Sequence, residues 1–392
     1  MNTENVDRIK KIENIEKIGK IKNTEKIENT EMAEKIENTE MTEKIENTDQ
    51  IEKIDIKSMN LTELTNELSR IGEKAYRARQ IYEWLHIKQV SDFDEMTNIS
   101  KDLRNRLGGA YKLTVLRPVK VQVSKLDDTR KYLFALPDQN TIESVRMKYK
   151  HGNTVCISSQ VGCRMGCRFC ASTIGGLVRN LSPSEMLEQV YRIGRDLGER
   201  ISNVVVMGIG EPLDNYDNLL KFIRMLTDEH GLNISQRNIT VSTCGIVPRI
   251  RELADEKLQI TLALSLHAPV QGKRLSLMPA AAAYDLDDVI EACDYYFAQT
   301  GRRMSYEYSL ISGLNDTKED AQALGRLLSG KNCHVNLIPV NPVRESPFVQ
   351  SDEGAVALFK NKLEKYKINV TIRREMGRDI DGACGQLRKN YS

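Results

Sequence analysis

The sequence predicts an α/β protein: a partial barrel of six β/α units, preceded by a small helical domain and a disordered tail. Three observations predict this. Strand-like and helix-like runs alternate from residue 154 onward. Apolar residues between 58 and 110 recur at helical spacing. The first 57 residues are a low-complexity repeat without aromatic residues.

In the tail, KIENTEMAE, KIENTEMTE and KIENTDQIE follow one another with a period of nine. Its isoleucines are too sparse to form a buried helical stripe, so residues 1–57 are read as disordered or transiently helical. Residues 58–110 differ. LTELTNELSRI and KAYRARQIYEWLHI place apolar residues at i, i+3, i+4 and i+7, the pattern of a small helical domain. Arg77, Arg79 and Lys88, beside Tyr76 and Tyr82, are equally compatible with an RNA-facing surface and with a solvated helix face. Residues 111–150 read as a β-hairpin region, with KYLFALPD and TIESVRMKYK as strands and Pro137 and Asp138 in the turn.

Residues 151–392 carry the barrel. Strands are expected near 154–159, 203–207, 238–242, 260–265, 304–310 and 333–338, with a last one near 368–372. Helices are expected at 184–198, 216–228, 247–256, 285–299 and 318–329. Such units place parallel strands side by side, and a barrel of this kind binds its ligand at the C-terminal strand ends.

The net charge of +2 hides an asymmetry. Residues 1–57 hold 11 Lys/Arg against 15 Asp/Glu, which leaves 46 against 40 on the rest of the chain. A mildly basic body is compatible with an RNA partner without demonstrating one. No run of 18 apolar residues and no signal-peptide core appears, so no membrane association is expected and the protein is read as cytoplasmic. In that compartment the eight cysteines point to metal binding or catalysis rather than to a disulfide framework.

Three of them, Cys163, Cys167 and Cys170, sit in VCISSQVGCRMGCRFCAS with C-x3-C-x2-C spacing, after a predicted strand and beside Gly162 and Gly166. A loop lets three thiolates converge, whereas a strand sends alternate ones to opposite faces. A structural zinc ion wants a fourth ligand, and the next 30 residues supply neither Cys nor His. A [4Fe-4S] cluster with one iron left open fits better. The spacing, with Phe169 before the last cysteine, resembles the signature of radical S-adenosylmethionine (SAM) enzymes.

Further motifs narrow the resemblance. SSQVGCRMGCRFC, MGIGEPLDN, STCGIVP, LALSLHAP, VNLIPVNP and GRDIDGACGQL occur in that order. Over roughly residues 58–392 the chain resembles the RlmN/Cfr family of radical SAM RNA methyltransferases. The resemblance implies a radical-SAM partial barrel with a [4Fe-4S] cluster on Cys163, Cys167 and Cys170, and SAM as second cofactor. It implies a SAM pocket from Gly210, Glu211, Ser242, Ser265, Leu266, His267 and Asn341. It implies that Cys384 carries a methyl group taken from one SAM. A radical made from a second SAM activates that group for addition to adenine. Cys156 then resolves the protein–RNA adduct through a transient disulfide, and Glu143 accepts a proton. Taken singly, Cys384 and Cys156 also fit inert thiols, Glu143 a surface carboxylate, Gly210–Glu211 a glycine turn and His267 a structural histidine.

The implied reaction is methylation of adenine C2, at adenosine 2503 of 23S rRNA and adenosine 37 of tRNAs. A flavodoxin-type electron donor and a monomeric enzyme are expected. The Cfr-type alternative methylates C8; Pro212 in GEPL favours C2. A third reading, from another class, is an RNA-binding protein with a structural metal centre, which has no use for Cys156 and Cys384. Ala280–Ala283 depart from the family pattern. Cys244, Cys293 and Cys333 match no role and are read as core or surface thiols.

Overall fold

The computed structural model describes residues 53–340 and 347–380. A short strand β1 (Ile54–Asp55) pairs in parallel with β2 (Tyr111–Lys112). Between them lie α1 (Leu61–Arg70), α2 (Ala75–His86) and α3 (Lys101–Ala110). The Asn60 side chain accepts the Glu63 N–H, and the Glu63 carboxylate accepts the Asn60 N–H, each at 2.9 Å, so α1 starts on a reciprocal cap. Leu64, Leu68, Ile81, Leu85, Leu103 and Leu107 from the three helices are all buried in the main core. On the outer face of α2, Lys88 lies over the Trp84 ring, Arg77 over Tyr76, and Arg79 pairs with Glu83.

Composition assigns residues 54–57 to the tail, yet Ile56 and Lys57 are fully buried. The reason is one ion pair. Lys57 Nζ lies 2.6 Å from Glu188 and also donates to the carbonyls of Thr114 and Val90.

The chain continues as an antiparallel meander of β3 (Arg117–Val123), β4 (Arg130–Ala135) and β5 (Thr141–Tyr149), which joins β6 (Gly152–Ile157). The β4–β5 turn contains Pro137 and Asp138 as expected. It is closed by Leu136 N–H donating to Asn140 C=O at 2.8 Å. A two-stranded ribbon follows, β7 (Gln160–Gly162) against β8 (Leu177–Asn180).

The β/α alternation then runs α4 (Pro183–Leu197), β9 (Ile201–Val206), α5 (Tyr216–Thr227), β10 (Ile239–Thr243), α6 (Val247–Asp255) and β11 (Thr261–Ser265). After α7 (Gln271–Leu277) and α8 (Leu286–Thr300) come β12 (Met304–Leu310), α9 (Lys318–Leu328), β13 (Cys333–Pro339), α10 (Glu353–Glu364) and β14 (Asn369–Ile372). Every expected strand and helix of this region is present within two residues. α7 and α10 are present in addition to the helices expected from the sequence.

Ten strands form one sheet in the order β14-β13-β12-β11-β10-β9-β6-β5-β4-β3. Seven of them, β6 and β9 to β14, run parallel. Along them Val204, Val241, Leu262, Leu264, Tyr306, Tyr308, Val335 and Leu337 are buried in the main core. Period-two alternation turns Ser242, Ser265, Glu307, Ser309 and Ile338 to the opposite, inner face.

The sheet is open but curled. Laid flat, β14 and β4 would stand eight spacings apart, about 38 Å. The five residues from Ile372 to Gly377 reach at most about 18 Å. Yet Gly377 N–H donates to Asp127, in the β3–β4 turn, at 3.0 Å, and the Asp379 carboxylate accepts Lys125 N–H at 2.7 Å. Only a curled sheet brings its two ends this close. No ladder joins β14 to β3 among the described residues, so the curled sheet stays open.

Candidate active site

A cavity of about 270 Å³ opens at the C-terminal ends of β9 to β13, where such sheets bind ligands. It is lined by Cys163, Cys167, Cys170, Gly210, Glu211, Ser242, Ser265 and His267, so eight of the expected site residues meet in one place.

The three cysteines lie between β7 and β8. Cys163 follows β7 directly, and its N–H donates to Gly176 C=O at 3.0 Å, tying the loop at its base. Gly162 (φ +77°) makes this closure possible, because a Cβ there would stand 2.0 Å from the Gly176 oxygen. Cys167 C=O accepts Cys170 N–H at 3.1 Å, and Thr173 Oγ1 donates to Cys170 C=O at 2.9 Å. Phe169 packs edge-on against the His267 ring at 4.8 Å.

Glu211 follows β9 on a glycine turn. Gly210 has φ +111°, and a Cβ there would lie 2.6 Å from Gln160 Cβ. Glu211 is buried. Its carboxylate accepts the Cys244 N–H at 2.8 Å and the Leu213 N–H at 3.1 Å. Burial pushes its pKa above the usual carboxylate range, and those N–H groups oppose the rise.

Ser242 Oγ and Ser265 Oγ are 3.3 Å apart on neighbouring strands. Leu266 differs: its side chain lies in the main core, and the cavity does not reach it. Only its backbone can serve a ligand. His267 takes a left-handed backbone (φ +55°), held by its carbonyl accepting Asn315 Nδ2–H at 2.7 Å. Its Nδ1 accepts the Ser309 N–H at 3.0 Å, so the neutral ring carries its proton on Nε2. Burial, then Arg274, lowers the pKa to about 3, and the ring stays neutral at physiological pH.

Further round the inner face, Lys131, Val145, Cys156 and Val205 stand in one cross-strand row over β4, β5, β6 and β9. Glu143 lies two residues before Val145 on the same face, 3.0 Å from Lys131 Nζ, and both are buried. Neither Cys156 nor Glu143 lines the cavity. Burial raises the Cys156 thiol pKa; the positive charge of Arg373, which does line the cavity, opposes the rise. Asn341 and Cys384 lie outside the described residues.

The cavity also holds residues the sequence reading did not select: Cys244, Glu307, Ser309, Met278 and Arg373. Cys293 and Cys333 are core thiols, but Cys244 is neither core nor surface: it faces the cavity. The alternation Ser305, Glu307, Ser309 against Tyr306, Tyr308, Leu310 carried the signal for β12. Ala280–Ala283 continue a 3-10 turn from Pro279, with Ala281 packed in a second small apolar cluster beside Cys167 and Phe169.

Do the thiols suit an iron–sulfur cluster? Burial pushes the Cys163 thiol up to about 12, and burial followed by the charges of Cys170 and Cys163 pushes Cys167 up further. Cys163 and Cys167 therefore ionise only around bound positive charge, which lowers thiol pKa values strongly. Among the described residues no three His, Cys, Asp or Glu side chains converge on a single-ion site. A cubane does not require that, since each thiolate takes a different iron. The donor set fits. All seven described cysteines are free, and no described helix is long and apolar enough to cross a membrane.

Comparison with known proteins agrees with this geometry. Residues 54–112 match the family described as ribosomal RNA large subunit methyltransferase N-terminal domain, and residues 157–325 match the radical SAM superfamily. A protein of Lachnoclostridium phytofermentans named probable dual-specificity RNA methyltransferase RlmN is 63% identical over 338 residues, 86% of this chain and 95% of that protein. A protein of the same name from Clostridium perfringens is 52% identical over 86% of this chain and 97% of its own length. The crystal structure of a radical SAM methyltransferase from Sphaerobacter thermophilus superposes with a TM-score of 0.82 at 43% identity, covering 85% of this chain and 98% of that one.

Proposed function

The chain belongs to the RlmN family of radical SAM RNA methyltransferases, and from that premise we propose that it methylates C2 of adenine, at adenosine 2503 of 23S rRNA and adenosine 37 of tRNAs. One observation supports the reading above the rest: the cysteine trio and the Gly210–Glu211, Ser242, Ser265 and His267 set share one cavity at the strand ends. Membership of the radical SAM superfamily implies a [4Fe-4S] cluster and SAM. When bound, the two supply a 5′-deoxyadenosyl radical.

The chain's own residues do the rest. Cys163, Cys167 and Cys170 hold the cluster. Glu211 offers a buried carboxylate to the SAM ammonium group, and Gly210 lets the backbone approach. His267 offers Nε2–H as a neutral donor, and Ser242 and Ser265 offer hydroxyls. Asn341 and the Leu266 backbone complete the pocket. Cys384 carries the methyl group as S-methylcysteine, so each turnover uses two SAM. This route answers a chemical difficulty: adenine C2 is electron-poor and does not attack SAM as a nucleophile. Glu143 takes the C2 proton, and Cys156, diagonal to it on the same inner face, releases the product from Cys384. The enzyme acts as a cytoplasmic monomer and takes electrons from a flavodoxin-type donor. Its domains divide as tail 1–57, helical domain 58–110, β-hairpin region 111–150 and barrel 151–392.

Anaerobic reconstitution with iron, sulfide, SAM and dithionite tests the reading. It expects 5′-deoxyadenosine and 2-methyladenosine in RNA. Absence of 5′-deoxyadenosine refutes the radical chemistry, and 8-methyladenosine would assign the Cfr-type reaction instead.

A further inference from the structure

Among the described residues, Arg274, on α7, forms no ion pair, and its Nε has no hydrogen-bond partner; the side chain is 1% exposed. Its guanidinium donates to the Cys244 carbonyl, the residue that lines the cavity beside Glu211. Gly245 (φ +105°) makes the passage, since a Cβ there would lie 3.2 Å from Arg274 Nη2. Among the described residues, the thiols of Cys244, Cys167 and Cys293 are the groups whose charge would balance it, and the cysteine loop is tied to α7 by Arg168 N–H donating to Leu277 C=O at 2.9 Å. A buried, unpaired guanidinium is costly and is retained where a counter-charge arrives. Cys293 is a core thiol and Cys244 is bound to Glu211 through its own N–H. Cys167 is the thiol in reach that the cluster would ionise.

We propose that Arg274 is a positioning residue whose guanidinium supplies the positive charge that balances the thiolate-bound cluster and favours its reduced state. The inference rests on the reading of Cys163, Cys167 and Cys170 as cluster ligands. A cubane with three thiolates gains one negative charge on reduction. A fixed cation beside it stabilises that form, the more so in a low-dielectric cavity. This gives α7 a function that its short, mostly polar sequence did not reveal.

Two measurements on the full chain test the proposal, using wild type, Arg274→Met and Arg274→Lys. The first is thermal unfolding without cluster. Arg274→Met is expected to melt at or above the wild-type temperature, because a lone buried charge has gone. The second is an anaerobic redox titration of the reconstituted cluster followed by electron paramagnetic resonance. Its midpoint is expected to move to more negative potential in Arg274→Met and to return toward wild type in Arg274→Lys. An unchanged midpoint in Arg274→Met overturns the proposal, and if that variant also melts early, the residue is assigned to packing. Arg274→Lys, which keeps the charge, decides if Arg274→Met does not fold: a wild-type-like midpoint supports the proposal, and one displaced as far as cluster-ligand disruption overturns it. A wild-type chain that takes up no cluster refutes the underlying reading itself, an outcome distinct from an unchanged midpoint in a loaded variant.

Discussion

The backbone N–H of Ser309 donates to Nδ1 of His267 at 3.0 Å, linking the end of β12 to the loop that follows β11. This bond fixes the tautomer and leaves Nε2–H for a ligand in the cavity. Replacing His267 by Phe removes that donor and keeps the packing on Phe169. A hydrogen bond to a charged group contributes about 1.5–3 kcal/mol. SAM affinity, measured by equilibrium dialysis on the reconstituted protein, is expected to fall roughly tenfold to hundredfold. An unchanged affinity would remove His267 from the pocket.

The buried pair Lys57–Glu188 fastens the segment before α1 to α4. Glu188 also accepts Leu116 N–H at 3.0 Å and pairs with Arg192 at 2.9 Å. Lys57→Met strands part of that charge, and breaking a buried pair costs roughly 3–5 kcal/mol. Because Arg192 remains, the lower end is expected, with partial recovery in the double variant Lys57→Met/Glu188→Leu. Urea unfolding measures both. A loss under about 1 kcal/mol for Lys57→Met would show the pair to be dispensable.

His86 is fully buried, with Nδ1 2.8 Å from the Tyr191 hydroxyl. Burial, then the charge of Lys57, lowers its pKa from 6.5 to about 3. Between those values the unfolded chain binds a proton that the folded chain does not. Stability from this group is therefore complete above pH 6.5 and is lost as pH falls toward 3, by up to about 1.4 kcal/mol per pH unit. Unfolding curves from pH 7 to pH 4 are expected to fall less steeply for His86→Gln than for wild type. Parallel curves would contradict a neutral buried imidazole.

Much of this was legible in the sequence, and the failures have physical causes. The parallel strands declared themselves because runs such as NVVV and TLALS are bounded by amphipathic helices. β12 shows in MSYEYSL both its strand character and its polar inner face. α7 was missed because QGKRLSL buries Arg274 where a helical pattern would place an apolar residue. α10 was missed although Val356, Phe359 and Leu363 are buried at helical spacing, because Leu358, 72% exposed, breaks the stripe. The ordered residues 54–57 owe their burial to Glu188, 131 positions away from Lys57, and no local pattern reports such a partner. The same holds for the site. Motifs found the cluster cysteines, Glu211 and His267, but nothing in the sequence separates Cys244, just past the end of β10, from a core thiol, and Arg373, just past β14, reaches the cavity through the curl of the sheet.

Cys156 stands beside Val145 and, diagonally, the Lys131–Glu143 pair. If it resolves the adduct between Cys384 and RNA, Cys156→Ala is expected to trap a covalent complex. It would appear as a slow band containing both RNA and protein on a denaturing gel. Wild-type turnover without any such band would leave Cys156 a bystander.

The measurement that tests the account most directly is nucleoside mass spectrometry of 23S rRNA and tRNA, treated with wild-type chain or with Cys384→Ala under identical reconstitution. The account predicts 2-methyladenosine with wild type and none above background with the variant, because no methyl carrier remains. Wild-type amounts of 2-methyladenosine from Cys384→Ala would contradict it.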